Sequence, residues 1–200
     1  MRIDRLNDAL QMRLWRLRVL WATWRERGVV PDSYLRRVMA LHRLLGVPPD
    51  YAARGMLLHR ECEDLVEVSC GPGGRGRMMS AAIKMRWLDM QTAAAAADIA
   101  LLVKSAFRSV DEQALIFREQ LAATCHVAQL MTWVAAPGYS EHHSGRALDI
   151  GADGADDDFE NSAAFQWLVT NAGRFGFELS YPRGNAYEFM YEPWHWYCRD

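Results

Sequence analysis

The sequence predicts an α+β fold: a small, mainly antiparallel sheet with flanking helices, preceded by an N-terminal helical extension. Three observations predict it. Apolar residues recur at helical spacing over the first 45 positions. Beyond residue 60, short extended runs mix with helices without regular alternation. Three such runs then close the chain, as late hairpins would. With 200 residues, half of them apolar and 24% charged, the chain can bury a core of ordinary size.

Ile3, Leu6, Leu10, Leu14, Leu17, Trp21 and Trp24 step by three or four, placing an apolar stripe on a helix of about 25 residues with arginines on its other faces. Such a helix packs on its own domain or a partner, or lies as a basic interfacial helix on an anionic membrane. Gly28 and Pro31 end it, a second helix is expected over 32–45, and Gly46-Val47-Pro48-Pro49 marks a boundary. Residues 1–59 are accordingly read as the helical extension and 60–200 as the main domain. Charge follows this division: residues 1–60 hold 12 Lys+Arg against 5 Asp+Glu, net +7, and residues 61–200 hold 11 against 20, net −9.

Further along, 65–70 reads as a strand, 78–97 as a long Ala-rich helix, 99–104 as a strand and 110–122 as a helix. Residues 131–135 and 147–150 look extended, 162–172 helical, and 177–181, 187–191 and 194–198 extended. Gly71-Pro72-Gly73-Gly74-Arg75-Gly76 satisfies the dinucleotide pattern G-x-G-x-x-G. Pro72 removes a backbone N–H from the loop that would cradle a pyrophosphate, and no further βαβ crossover follows, so a turn is expected. The acidic run 153–158 lacks the terminal glutamate of a calcium loop and reads as solvated. Cys62, Cys70, Cys125 and Cys198 are scattered, with no CxxC pair, and are expected as free thiols. No run of about 18 uncharged apolar residues exists to span a bilayer. Arg13, Arg16 and Arg18 interrupt any secretory-leader core, which places the chain in the cytoplasm, with a periplasmic or wall-associated site as the alternative. No nucleic-acid partner is expected.

Chemistry concentrates in three blocks: Ser140–Asp149, Glu192–Trp196, and Ser105–Ser109 with Gln113 beyond. Two imidazoles and a carboxylate form a three-ligand set for catalytic zinc that leaves a fourth position open. Adjacent histidines on an extended segment point to opposite sides, so one of His142 and His143 reaches a common metal with Asp149 and His195. Gly145 lets the chain turn between them. Glu192, three residues before His195, suits a general base, and Arg108 suits an oxyanion or a substrate carboxylate. Trp194 and Trp196 are expected in the core.

Ser140-x-His142-x-x-Gly145-x-Ala147-x-Asp149 followed by Glu192-Pro193-Trp194-His195 resembles the signature of the LAS family of zinc peptidases. That family includes VanY-type D-alanyl-D-alanine carboxypeptidases, the dipeptidase VanX and L-alanyl-D-glutamate endopeptidases. Ser105-x-x-Arg108-Ser109 with Gln113 resembles the family's S-G-Y-R-S…Q block, with Ala106-Phe107 in place of Gly-Tyr. The resemblance covers about residues 60–200. It implies Zn2+ on His142, Asp149 and His195, with Glu192 as catalytic base and Arg108 as stabiliser of the carbonyl oxygen. It also implies Ser140 as a contact for the substrate carboxylate and Gln113 as a substrate-side polar group; His143 is not a ligand in it. The implied reaction is release of terminal D-alanine from peptidoglycan stem peptides. An L,D-carboxypeptidase or endopeptidase is the alternative within the enzyme class, and a non-catalytic peptidoglycan-binding protein the alternative outside it.

Overall fold

The computed structural model describes residues 2–25, 32–69, 76–124, 126–152 and 158–199, with side chains in the first helix described from Leu10 to Trp24. Helix α1 (Arg2–Arg25) is followed by α2 (Ser33–Leu45), which starts where Asp32 accepts a 3.0 Å hydrogen bond from Leu35 N–H. It ends where Gly46 takes up φ 72° and returns its N–H to the His42 carbonyl. Both helices stand where the apolar periodicity puts them. A 3-10 turn over Tyr51–Arg54 follows.

Strands β1 (Leu65–Val68) and β2 (Arg77–Ser80) pair antiparallel, with Leu65 opposite Ser80. The glycine-rich motif falls between these two antiparallel strands in the chain, and its residues 71–75 lie outside the described residues. The pairing also corrects the expected start of the Ala-rich helix. Residues 77–80 belong to β2, and α3 (Ala81–Ala95) begins only after Ser80, whose hydroxyl accepts from Ala82 N–H at 3.3 Å. Then come β3 (Leu102–Ser105), α4 (Val110–Thr124), the short α5 (Val127–Leu130), β4 (Ala147–Gly151), α6 (Ala163–Asn171), β5 (Phe177–Leu179) and β6 (His195–Cys198).

Two segments read as extended are not strands. Residues 131–135 continue α5 as turns, with the N–H groups of Thr132, Trp133 and Val134 bonded back to carbonyls of residues 129–130. Residues 187–191 form an irregular loop organised by Asn185. Its amide donates to the Phe189 carbonyl at 2.7 Å and accepts from the N–H groups of Tyr187 and Phe189. An apolar, β-prone composition alone does not distinguish a strand from a loop pinned by one side-chain amide.

The main sheet runs β3-β4-β6-β5, with every neighbouring pair antiparallel. Alternation along its two central strands sets up two faces. Leu148 and Ile150 of β4, with Trp196 and Cys198 of β6, enter a core built with Ile83, Trp87 and Met90 of α3 and Leu168 of α6. Asp149 and His195 lie on the opposite face. A second apolar cluster covers that side, formed by Val38, Leu41 and Leu45 of α2, Tyr51, Val110, Ala114 and Phe117 of α4, Leu130, Tyr181 and Phe189. This cluster crosses residue 59, so α2 and the 3-10 turn share their buried surface with α4. Cys62 and Cys198 are free, whereas Cys70, Cys125 and the acidic run 153–157 lie outside the described residues. No helix among the described residues is long and apolar enough to cross a membrane.

Candidate metal centre and active site

Asp149 and His195 are direct cross-strand partners in the β4–β6 ladder. Opposed side chains of an antiparallel pair stand about 5 Å apart on one face, so the sheet register itself brings two of the expected ligands together. His142 arrives from a 3-10 turn, Glu141–Ser144, that ends at Gly145 with φ 66°. A Cβ at Gly145 would stand 2.9 Å from Ser80 N, whose N–H is hydrogen-bonded to the Gly145 carbonyl. Only glycine accommodates both the left-handed backbone and this approach of β2.

The expected geometry of the paired histidines is corrected here. They sit on a 3-10 turn and not on an extended segment, yet they do diverge. His142 Nδ1–H donates to the Ala106 carbonyl at 2.6 Å, which leaves Nε2 facing Asp149 Oδ2 at 3.3 Å. His143, fully buried, donates from Nδ1 to the Arg108 carbonyl at 2.6 Å and accepts from Gly138 N–H at Nε2, 3.0 Å. It clamps two loops of the cleft together. Burial pushes its pKa down to about 4, keeping it neutral for both bonds.

His195 presents Nδ1 to Asp149 Oδ1 at 3.0 Å, and its Nε2 faces Glu141 Oε2 at 3.0 Å. One ligand atom each from His142, Asp149 and His195 lies within 4.8 Å of the others, a spacing that a single ion can bridge. Burial depresses His142 and favours its neutral, ligating form. Burial would likewise depress His195, but the hydrogen bonds to Asp149 and Glu141 override it and hold the imidazole up to about 10. Asp149 stays far below the usual carboxylate range, because His142 and His195 outweigh its burial. Asp149 and Glu141 together thus favour the protonated imidazole of His195, and an ion held at these ligands would compete with that proton.

Glu192 stands in the turn that leads into β6, closed by His195 N–H to the Glu192 carbonyl at 3.1 Å. Its carboxylate is 3.9 Å from His195 Nδ1 and is 14% exposed. Burial is the main cause that raises it to about 7. Arg108 extends from the β3–α4 connection, hydrogen-bonding Gln113 Oε1 at 2.8 Å and Ser105 Oγ at 3.2 Å. Gln113 is buried, and its amide donates to the Ala135 carbonyl at 2.7 Å. The oxygen of this amide thus holds Arg108 while its nitrogen is tied to the Ala135 carbonyl, on the wall of the cavity where a substrate-side group is expected. Arg108, Gln113, Ser140, His142, Asp149, Glu192 and His195 all line one cavity of about 180 Å3. All seven expected site residues converge there.

Trp196 is in the core as expected, with its indole N–H on the Pro193 carbonyl. Trp194 is not: it is 42% exposed and lines the cleft, because the turn preceding β6 points it outward. Sequence reasoning missed Glu141, which orients His195 while accepting from Ser180 Oγ at 2.6 Å. It also missed the clamp by His143 and the Tyr181 ring, 5.0 Å from that of His195. A carboxylate beside the first ligand was the one signal for Glu141; nothing in the spacing links it to a histidine 54 positions away.

An antiparallel sheet that sets two imidazoles, an aspartate and a burial-shifted glutamate around one cavity defines a mononuclear metal-hydrolase type of site. Comparison with known proteins gives the family. Residues 76–199 match the model of VanY, D-alanyl-D-alanine carboxypeptidase, and the chain belongs to that family. It is 35% identical over 118 residues to a D-alanyl-D-alanine carboxypeptidase of Enterococcus faecalis. That match takes in 54% of this chain and 43% of the relative, so the chain spans less than half of that protein's length. Among solved structures it resembles a zinc-bound mutant of the D,D-pentapeptidase VanY from a VanB-type resistance cassette. The TM-score is 0.60 at 31% identity, covering 72% of this chain and 82% of that one. VanYB in complex with D-alanine-D-alanine gives the same score and identity over 71% and 80%. The LD-carboxypeptidase LdcB gives 0.62 at 28% identity over 71% of each chain.

Proposed function

We propose that the protein is a zinc-dependent carboxypeptidase that releases C-terminal D-alanine from peptidoglycan stem peptides ending in D-Ala-D-Ala. The observation that carries this reading is the convergence of His142, Asp149, His195, Glu192 and Arg108 on one cavity. The donor set fits zinc: two imidazole nitrogens with their tautomers fixed by hydrogen bonds on the far side of each ring, and one ionised carboxylate. Zinc held there supplies the Lewis acidity that makes water a nucleophile near neutral pH and polarises a carbonyl.

The chain's own residues then divide the work. Glu192 takes a proton from the attacking water as the oxygen adds to the scissile carbonyl carbon. Its position near neutrality suits both taking that proton and returning it. Arg108, held by Gln113 and Ser105, meets the oxyanion that develops. Collapse breaks the C–N bond, Glu192 gives its proton to the leaving amine, and a free D-amino acid and a shortened peptide carboxylate remain. Ser140 is buried on the cavity wall two residues before His142, and in this reading it contacts the terminal carboxylate.

Incubating the zinc-loaded protein with stem pentapeptides and tetrapeptides, with and without a chelator, tests the reading. D-alanine from the pentapeptide is expected, and its release should stop with chelator. Release only from a tetrapeptide would replace it with L,D-carboxypeptidase activity, a reading that the likeness to LdcB favours as second. A zinc-loaded protein that frees no amino acid from either would overturn the enzyme reading. Glu192→Gln should cut turnover by about a thousandfold or more while zinc remains bound; an unchanged rate would remove Glu192 as the base.

A further inference from the structure

Helix α1 has two apolar faces. Met12, Trp15 and Val19 turn toward the domain. Val19 is 4% exposed, and the Arg118 guanidinium of α4 lies 4.9 Å over the Trp15 ring and contacts the Met12 sulfur. Leu10, Leu14, Leu17, Trp21 and Trp24 form the other row, each between 44% and 62% exposed. At about 100° per residue the two sets are centred roughly 180° apart, so the second row faces away from the protein. Arg13 and Arg18, both exposed, project on opposite sides of that row. A contiguous row of leucine and tryptophan held toward water by a docked helix marks a contact surface.

We propose that α1 is an interfacial anchor that lays its Leu10–Trp24 row on an anionic bilayer surface. Charge selects this occupant. The positive end of the molecule is its N-terminal part, +7 over residues 1–60, and the rest carries −9. Guanidinium groups flanking the row meet lipid phosphates as the leucines enter the acyl boundary and the indoles lie at headgroup depth. A second copy seated on the same row would set arginine against arginine, with no acid between Leu10 and Trp24 to compensate. The helix lies on the surface and does not cross it, since it is too polar to span. Its inner face stays on the domain, so anchoring needs no unpacking of the fold.

Co-sedimentation of the full chain with vesicles of phosphatidylglycerol and phosphatidylcholine, against phosphatidylcholine alone, tests this. Binding is expected only to the anionic vesicles, falling as salt rises from about 0.05 to 0.5 M. The double variant Arg13→Glu/Arg18→Glu should weaken it by at least about tenfold, and Leu17→Gln/Trp24→Gln by a similar factor. Circular dichroism and zinc affinity should stay at the parent values in both, because the four side chains are exposed. Absence of sedimentation with anionic vesicles at low salt would overturn the proposal, as would equal binding to neutral vesicles or indifference to the charge reversal. So would a dimer seen by light scattering without lipid and lost in Leu17→Gln/Trp24→Gln, which would assign the row to self-association.

Discussion

The two faces of the β4–β6 pair share one backbone and solve opposite problems. On one face Leu148, Ile150, Trp196 and Cys198 join an apolar core in which shape and area count. On the other, Asp149 and His195 hold charge in a site almost as dry, and each charge needs a named partner. The first face stabilises the fold without help from any ion. The second is arranged for something with positive charge: Asp149 and Glu141 flank His195 and favour its protonated form, and Glu192 is raised toward neutrality by burial. A sheet of this kind lets a well-packed face carry the cost of a poorly solvated functional one.

The widest separation between the faces should appear on truncation. Leu148→Ala opens a cavity beneath the sheet, and we expect a loss of about 3 kcal/mol in urea unfolding, the same with or without zinc. Its neighbour Asp149→Asn should lose nearly all zinc binding, and its cost in the metal-free protein should be electrostatic, because His195 keeps only one of its two carboxylate partners. If Leu148→Ala also abolished zinc binding in protein that is still folded, the two faces would not be separable.

Proton competition gives the next effect. His195 is held at about 10 without metal, so zinc must displace its proton. Apparent zinc affinity should therefore rise by about tenfold per pH unit between pH 6.5 and 8.5, with about one proton released per ion. Calorimetry in buffers of different ionisation enthalpy measures both. A flat profile with no proton release would mean that His195 is already neutral.

Glu141 comes third. Replacing it by glutamine removes the carboxylate that orients His195, and zinc affinity at pH 8.5 should fall by about 10–100-fold. The pH slope should flatten at the same time, because His195 loses one of the two carboxylates that keep it protonated. A purely structural role would lower affinity without changing the slope.

What could be read from the sequence follows the same division. The ligands, the base and the arginine were legible because chemistry fixes residue type and spacing over three short blocks. Helices α1, α2, α4 and α6 were legible because a packed helix imposes its period on the apolar residues. Residues 77–80 were not, since a four-residue edge strand running into Ser80 and an alanine-rich helix has no period of its own. Trp194 and Trp196 carry the same side chain and differ in that one stands in the turn before β6 and the other within the strand, which composition does not encode. The supporting partners Glu141, Ser180 and His143 were hidden for a related reason. Their contacts reach back through the β4–β6 pairing and the loop at 106–108, and neither can be computed from local pattern.

The smallest effect is the one that the functional face imposes on its own stability. Glu192 is at about 7 in the folded metal-free protein, above its ordinary value of 4.5. A raised acid favours folding in its protonated form, so the benefit is complete below about pH 4.5 and is lost as pH climbs through 7. Glu192→Gln keeps the shape and removes the charge. In chelator it should gain on the order of 1–2 kcal/mol over the parent at pH 8 and nothing at pH 5. Adding zinc should shrink or erase the gain at pH 8, because a divalent ion held by the neighbouring ligands would offset the cost of the carboxylate. Equal stabilisation at both pH values would show that the glutamine acts through packing, and the contrast between a self-sufficient face and an ion-dependent one would then rest on His195 alone.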